Sequence, residues 1–335
     1  MITKEQVMQR LETVLVPGVM RSPLKMNLLQ DIKISDHKVE ITLTSAAIHP
    51  DAQEWLKQKI EEAVKQVDGV RETSVNFTDG KPKDSNKIDR MIAVMSGKGG
   101  VGKSLVTALL AASLARLGKE VGVLDGDITG PSIPKVFGLS RGRPSGSDSG
   151  LLPVLSRSGV EIMSINLLLE HEDDAVIWRG PLIGKVIQQF WEDVLWGKLD
   201  YLLIDLPPGT ADAPLTVMQS LPLSGVVIVF SPQELAAMVV KKAVKMANAM
   251  HIPILGLVEN MSYFEVPGGK RRLELFGKSK VQEMVTMTGV SHLVRIPVDP
   301  ELARLCDEGR IEQYQNDEFD QFARGLTDFL SPKSN

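Results

Sequence analysis

The sequence predicts an α/β protein with a doubly wound, mostly parallel sheet that is preceded by a small α+β domain. After residue 90, short apolar runs such as MIAVMS, EVGVLD and GVVIVF recur and are separated by helical segments. Strands that are apolar on both faces and alternate with helices are typical of a parallel sheet covered on both sides. A polar stretch rich in turn formers, residues 80–89, separates this region from an N-terminal segment with a different pattern.

The N-terminal segment, residues 1–79, is predicted to form the small domain. Lys4 to Leu15 and Asp51 to Val67 have helical periodicity, and the runs QDIKIS, KVEITLT and VRETSVNF are strand-like. We interpret residues 80–89 as a linker and residues 90–335 as one large domain, since a chain of 335 residues is long for a single domain.

Composition and charge argue against several classes of protein. No apolar run approaches the roughly 18 residues that a membrane span needs. The segment MITKEQVMQRLETVL is amphipathic and carries charges of both signs, unlike a signal peptide. The net charge of −4 is too small to indicate nucleic acid as the main partner. We therefore expect a cytoplasmic protein with neither membrane nor nucleic-acid partners.

A glycine-rich loop follows the first strand of the large domain and matches the pattern GxxxxGK(S/T) between a strand and a helix. The glycines let backbone N–H groups converge on phosphate oxygens, and the helix dipole adds positive potential. We expect Lys103 to contact the β- and γ-phosphates of ATP and the Ser104 hydroxyl to ligate Mg²⁺. The loop consists of Gly97, Lys98, Gly99, Gly100, Val101, Gly102, Lys103 and Ser104.

Carboxylates stand at the ends of two further strands. EVGVLDGD ends with Asp125 and Asp127, and YLLID ends with Asp205. One carboxylate at a strand end can hold the Mg²⁺ hydration shell, and a second can orient the attacking water. We predict that Asp205 is the carboxylate that holds the Mg²⁺ hydration shell. The alternative is that these aspartates only cap helices. Because no other group is visibly dedicated to activating water, ATP hydrolysis should be slow and Mg²⁺-dependent.

A second lysine inside the loop, Lys98 in KGGVGK, resembles the deviant Walker A lysine of MinD, ParA, the nitrogenase iron protein and the arsenite and tail-anchored-protein ATPases. The resemblance implies that Lys98 crosses a homodimer interface to the phosphates of the partner's nucleotide. There it would neutralise transition-state charge, much as an arginine finger does. A solvated loop lysine is the alternative.

Longer segments, LDGDITGPSIPKVFGL, DLPPGTAD and RIPVDPEL among them, closely resemble the Mrp/ApbC group of iron–sulfur cluster carrier ATPases. The first domain is similar to the small cluster-assembly domain often fused ahead of that group. The resemblance implies a carrier that hands clusters to client apoproteins or works with cluster-assembly proteins. It also implies that Asp127 orients the water, that Asn260 contacts the adenine, and that the loop after Pro297 packs beside the base.

The cysteine content departs from that group, whose well-studied members carry a CPxC pair directly after MSYF. Here Val266 and Gly269 stand at the two cysteine positions. The chain has one cysteine, Cys306, in the predicted helix PELARLCDEG. We interpret Cys306 as a half-buried helix residue, with a cluster ligand or a redox thiol as the alternative. The resemblance implies an iron–sulfur cluster as a cofactor. Cluster irons need about four soft ligands, and the single cysteine of this chain does not supply them.

The competing hypothesis is a MinD/ParA-like ATPase switch that acts on a surface or a protein partner without a cluster. MinD-type proteins end in a basic amphipathic helix, whereas the apolar stripe near the end of this chain has acidic flanks, which repel anionic lipid. We expect this stripe to pack on the chain's own domain. A non-enzymatic nucleotide-bound adaptor is a third hypothesis, which measurable ATP turnover would exclude. The stripe consists of Phe319, Phe322, Leu326 and Phe329.

Overall fold

The structure is a computed structural model that describes residues 2–79, 86–127, 130, 132–139, 142–147, 150–168, 180–210, 212–233, 236–268 and 271–330. The chain forms two compact units. The first comprises Met1–Ile88, Arg143–Val154 and Trp191–Leu199, and the second comprises Asp89–Gly142, Leu155–Phe190 and Asp200–Asn335.

The elements are numbered in chain order within the described residues. The strands are β1 (Leu29–Ser35), β2 (Lys38–Thr44), β3 (Glu72–Thr78), β4 (Lys87–Ser96), β5 (Val121–Asp125), β6 (Gly146–Ser147), β7 (Gly150–Leu151), β8 (Val154–Leu155), β9 (Glu161–Ser164), β10 (Lys198–Asp205), β11 (Gly225–Phe230), β12 (Ile254–Glu259), β13 (Phe264–Glu265), β14 (Arg272–Leu273) and β15 (Leu293–Arg295). The helices are α1 (Lys4–Glu12), α2 (Pro50–Val64), α3 (Lys103–Arg116), α4 (Ile133–Val136), α5 (Gly180–Asp193), α6 (Asp212–Ser220), α7 (Ala236–Ala249), α8 (Val281–Thr288), α9 (Pro300–Asp307) and α10 (Asp317–Leu330).

The first unit contains a three-stranded sheet and two helices, as predicted for a small α+β domain. β2 pairs antiparallel with β1 and parallel with β3. The helix α1 begins with a capping box, in which the Thr3 hydroxyl accepts from the Gln6 N–H and the Gln6 side chain accepts from the Thr3 N–H. The apolar face of α1, Val7 and Leu11, is buried in the core of this unit.

Two segments from later in the chain belong to the first unit, although the sequence predicts both as parts of the large domain. Leu152 and Leu195 are buried in the same apolar core as the first three strands. The buried guanidinium of Arg21 donates to the backbone oxygens of Trp196, at 3.3 Å, and Lys198, at 2.8 Å. Contacts between residues so distant in sequence leave no local pattern, which is why the boundaries differ.

The predicted linker is also shorter than residues 80–89. Residues 80–85 lie outside the described part of the chain, and β4 begins at Lys87. The Lys87 N–H donates to the Gly197 oxygen at 2.7 Å, and the Asn86 amide donates to the Val194 oxygen at 2.9 Å. These bonds extend β4 backwards into polar sequence that lacks an apolar pattern.

The second unit is built on an eight-stranded sheet in the order β15-β12-β11-β4-β10-β5-β9-β8. β11 pairs parallel with β4 and β12, β5 pairs parallel with β9 and β10, and β12 pairs parallel with β15. Every residue of β5 and β11 is buried, which explains their continuous apolar runs. From β4 the chain winds toward both edges of the sheet, so the predicted doubly wound, mostly parallel sheet is confirmed.

The last helix, α10, packs on the second unit by part of its apolar stripe. Phe319, Phe322 and Leu326 are buried, as predicted, but Phe329 is 68% exposed, so the prediction is wrong for that residue. Phe329 follows Leu326 by three positions, near the end of the helix, where the packing surface stops. No helix within the described ranges has both the length and the apolar character that a membrane crossing requires.

Candidate functional site

The glycine-rich loop joins the buried end of β4 to the start of α3. Gly102 is the N-cap of α3 with φ +81°, and Gly100 has φ +79°. Glycine adopts this left-handed backbone without the strain that other residues incur. A Cβ at Gly102 would also collide with the side-chain amide of Asn260. The loop can therefore take this course only with glycine at these positions.

Lys103, the first residue of α3, is buried and makes two ion pairs. Its ammonium lies 2.8 Å from Oδ2 of Asp205 and 3.5 Å from Oδ2 of Asp127. Asp205 ends β10 and is fully buried, whereas the Asp127 side chain is 15% exposed. A buried lysine needs such partners because desolvation disfavours its charge. The structure thus brings three of the predicted site residues together.

Two hydroxyl groups of α3 also hold the Asp205 carboxylate. The Ser104 hydroxyl donates to Oδ2 at 2.6 Å, and the Thr107 hydroxyl lies 2.8 Å from Oδ1. Sequence reasoning missed Thr107. Thr107 follows Lys103 by four residues, so both side chains lie on one face of the helix. This spacing could have identified Thr107 from the sequence.

Asp125 ends β5 and lies opposite Asp205 in the register of the parallel strands. It accepts hydrogen bonds from the Ser164 hydroxyl at 3.1 Å and from the Asp127 N–H at 3.2 Å. Burial, and after it the negative charge of Asp205, raise the pKa of Asp125 to about 8. The sequence places Asp125 at a strand end but does not predict a role for it in the site.

A cleft of about 530 Å³ runs from the glycine-rich loop to α9. Asn260 is buried in it and donates from Nδ2 to the Val101 oxygen at 2.9 Å. The far end is formed by the segment after β15, including Pro297, and by one face of α9. The predicted site residues that line the cleft are Gly99, Gly100, Gly102, Lys103, Ser104, Asp127, Asn260 and Pro297.

Lys98 occupies a different position from Lys103. Its carbonyl accepts a hydrogen bond from the Ser96 hydroxyl at 2.9 Å, and its ammonium donates to the side-chain oxygen of Gln233, in the loop after β11. Among the described residues, Lys98 does not line the cleft, and neither do Gly97 and Val101. Gln233 has no motif that would have marked it, because the contact depends on β11 lying beside β4.

Family models match both units of the chain. A model of the NUBPL iron-transfer P-loop NTPases matches residues 87–329, and a model of iron–sulfur cluster assembly proteins matches residues 4–77. The chain belongs to the NUBPL iron-transfer P-loop NTPase family. The family assignment predicted from the sequence is confirmed, and the glycine-rich loop with the cleft beside it is the candidate P-loop site.

Two relatives carry the same name. The iron–sulfur cluster carrier protein of Methanocaldococcus jannaschii is 46% identical over 228 residues, which cover 68% of this chain and 79% of the relative. The iron–sulfur cluster carrier protein of a Synechocystis strain is 36% identical over 324 residues, which cover 92% of this chain and 91% of the relative. The second match includes both domains.

Solved structures agree with this assignment. A nucleotide-binding protein from Archaeoglobus fulgidus in complex with ADP is 52% identical, with a TM-score of 0.64, and the match covers 70% of this chain and 92% of that one. The cell division ATPase MinD of Pyrococcus furiosus is 21% identical, with a TM-score of 0.52, over 72% of this chain and 99% of that one. The likeness to MinD shows the shared fold alone.

Cys306 of this P-loop NTPase lies on α9 and lines the far end of the cleft. It is half-buried, and burial, followed by the charge of Asp307, raises the pKa of its thiol to about 11. Metals bind the thiolate rather than the thiol. The surroundings of Cys306 thus disfavour the form that a cluster would require.

The segment after MSYF, where the sequence resemblance implies a CPxC pair, contains a short hairpin of β13 and β14. Arg272 pairs with Glu265 at 2.9 Å and lies over the Tyr263 ring, 4.1 Å from its centre. Val266 donates its N–H to the Arg271 oxygen, and Gly269 lies outside the described residues. Within the described ranges, no group of three or more His, Cys, Asp and Glu side chains has the arrangement of a metal-ion site.

Proposed function

We propose that this chain is a slow, Mg²⁺-dependent ATPase that works as a homodimer and serves iron–sulfur cluster transfer. The observation that carries the proposal is the convergence of Lys103, Asp127 and Asp205 beside the P-loop. The two ion pairs of Lys103 and the hydroxyl contact of Asp205 support the proposal, because they gather charged and polar groups that can contact a nucleoside triphosphate and its metal. Membership of the iron-transfer P-loop NTPase family supports an iron–sulfur cluster as the cargo.

In this proposal, the backbone N–H groups of residues 99–103 and the N-terminus of α3 hold the phosphates. Lys103 neutralises the β- and γ-phosphate charge. The Ser104 hydroxyl and the Asp205 carboxylate, oxygen groups 2.6 Å apart, fit Mg²⁺, which prefers such hard ligands and when bound neutralises phosphate charge. Asp127, at the open side of the cleft, orients the attacking water. Asn260 and Pro297 contact the base.

In the proposed dimer, Lys98 contacts the nucleotide that is bound to the second subunit. Its ammonium is held by the neutral amide of Gln233 at the protein surface and does not line the cleft of its own chain. A phosphate pairs its negative charge with the ammonium, whereas the Gln233 amide offers only a neutral acceptor, so the phosphate contact is the stronger one. Lys98 can therefore exchange Gln233 for the nucleotide of a facing copy.

Mixing of variants tests the shared site. Lys98→Ala and Asp127→Ala should each bind ATP and lose turnover. In a mixed dimer, the Lys98→Ala subunit keeps its own Asp127 and receives Lys98 from its partner, so equal mixing should restore about a quarter of wild-type turnover. Lys245→Ala, which removes an exposed lysine on α7, is the matched control and should turn over normally. Full activity of Lys98→Ala in a strictly monomeric protein would refute the dimer.

The proposed cargo is supported by the relatives, which are named iron–sulfur cluster carrier proteins. We propose that client apoproteins or cluster-assembly proteins bind the dimer and supply the cluster ligands that this chain lacks. A second candidate is a MinD/ParA-like switch without a cluster, which the location of Cys306, the one cysteine, in the nucleotide cleft favours. A cytoplasmic location, without nucleic-acid or membrane partners, belongs to both proposals.

A further inference from the structure

Asp125 is a buried carboxylate to which the proposed mechanism gives no task. It is fully buried at the end of β5. Among the described residues, Asp127 lines the cleft and Asp125 does not. Burying a carboxyl group costs free energy unless its oxygens are hydrogen-bonded. The two groups that bond Asp125 therefore indicate what it does.

Both oxygens of Asp125 accept hydrogen bonds. Oδ2 accepts from the Ser164 hydroxyl at 3.1 Å, and Oδ1 accepts from the Asp127 N–H at 3.2 Å. Ser164 ends β9 and is the register partner of Asp125. The neighbouring strand thus fixes Asp125, and Asp125 fixes the backbone of Asp127.

The residue between the two aspartates is held from the other side. The Gly126 N–H donates to the Asp205 oxygen at 2.9 Å, and a Cβ at Gly126 would lie only 2.8 Å from that oxygen. The turn from Asp125 to Asp127 is therefore attached to both neighbouring strands, β9 and β10. A displacement of about 1 Å at a reacting centre can cost about a hundredfold in rate, so these attachments matter for Asp127.

We propose that Asp125 is a positioning residue for ATP hydrolysis, which holds the backbone N–H of Asp127 through Oδ1 and so directs the Asp127 carboxylate into the cleft. The inference rests on the proposed ATPase and on the role of Asp127 in it. Asp125 acts through Asp127 and touches neither the nucleotide nor the water.

Two substitutions separate the hydrogen bonds of Asp125 from its ability to ionise. Asp125→Asn keeps an acceptor oxygen for the Asp127 N–H, and its NH₂ can donate to the Ser164 hydroxyl, which both donates and accepts. Asp125→Ala removes both bonds. We expect kcat of Asp125→Asn within about threefold of wild type, the size of one net hydrogen bond. Asp125→Ala should lose about tenfold or more in kcat, with the Kd for ATP nearly unchanged.

A double substitution tests whether the effect passes through Asp127. Asp125→Ala combined with Asp127→Ala should be no slower than Asp127→Ala alone, because residues that act as a unit are not additive. Ser164→Ala removes one support and should lower kcat by less than Asp125→Ala. Ser113→Ala is its matched control, since Ser113 is also buried and bonds Asp320 at 2.7 Å farther along α3; its kcat should stay unchanged.

Several results would overturn the inference: an Asp125→Asn enzyme as slow as Asp125→Ala, a double variant slower than Asp127→Ala, or a wild-type kcat in Ser164→Ala. A higher Mg²⁺ requirement in Asp125→Asn would make Asp125 a metal ligand and also overturn it. If Asp125→Ala does not fold, Asp125→Asn and Ser164→Ala still decide. A wild-type rate in Asp127→Ala would instead refute the proposed role of Asp127.

Discussion

Lys103 contacts within its own site the same two carboxylates that the proposed reaction needs. Its ammonium lies closest to Asp205, which also accepts from Ser104. In the proposed reaction, the phosphates of Mg·ATP would pair with the ammonium of Lys103, and Asp205 and Ser104 would hold the metal. The favourable contacts are thereby exchanged rather than created, which limits the net free energy that this lysine adds to binding.

Cys306 offers a residue-level test of the cleft, because it is the one thiol of the chain and lines the far end of the cleft. With a pKa raised to about 11 by burial, its alkylation by iodoacetamide should be slow at neutral pH. The rate should rise roughly tenfold per pH unit up to that pKa, since only the thiolate reacts. Mg·ATP should slow the labelling, measured by mass spectrometry.

The same labelling in urea provides the control, because the thiol of the unfolded chain has an ordinary pKa of about 8.5 and should react much faster near pH 8. Fast labelling of the folded protein at pH 7 that Mg·ATP leaves unchanged would contradict both the burial of Cys306 and its place in the cleft.

Single residues differ in how far the sequence could predict them. Lys103 and Asp205 follow from a motif and from a strand end, because parallel strands bring their carboxyl ends to one edge. Gln233 lies in the loop after β11 and Ser164 ends β9, so their contacts with Lys98 and Asp125 depend on the strand order. Cys306 reaches the cleft because α9 packs there, which local periodicity cannot show.

At the scale of elements, α10 is attached to the second unit by buried rings and by ion pairs. Phe322 stacks on His292 with ring centres 4.4 Å apart, and the His292 Nε2–H donates to the backbone oxygen of Phe322 at 2.8 Å. Asp320 pairs with Arg116 of α3 at 2.6 Å. Asp320 is one of the acidic residues beside the apolar stripe that we predicted to repel lipid. In the structure it joins α10 to α3.

Phe322→Ala should lower the free energy of unfolding by about 3–5 kcal/mol, because a buried ring leaves a cavity that the structure fills only in part. Phe329→Ala is the matched control on the same helix. Its ring is 68% exposed, so the change should stay within about 0.5 kcal/mol. Urea denaturation of the full chain measures both. Equal losses in the two variants would mean that the burial of α10 differs from this structure.

Some elements could be predicted from the sequence, whereas the assignment of others to the first unit could not. The strands of the large sheet are apolar runs and were predictable as such, and α1 was predictable from its periodicity. The grouping of Arg143–Val154 and Trp191–Leu199 with the first unit was not. These segments lie far apart in the sequence, and β6 and β7 are two residues long, too short for alternation to be visible.

For the whole molecule, the proposed role in iron–sulfur transfer has to be compatible with a chain that has one cysteine. A homodimer offers two copies of Cys306, whereas a cluster needs about four ligands, mostly thiolates. Each copy lies in a nucleotide cleft with its thiol pKa raised. The segment after MSYF holds a salt-bridged hairpin where the family's well-studied members carry thiolates. We therefore expect any cluster to be completed by a small thiol or by a client's cysteines and to be labile.

We accordingly expect the isolated protein, after anaerobic reconstitution with iron and sulfide and desalting, to keep far less than a stoichiometric 4Fe–4S cluster per dimer. The absorption spectrum and the iron content measure this. Cys306→Ser should give the same low iron content, and the wild-type ATPase should persist without a cluster, because the P-loop, Asp127 and Asp205 are independent of the hairpin. A stoichiometric cluster that survives desalting and vanishes in Cys306→Ser would make Cys306 a ligand and require the cleft to open during loading.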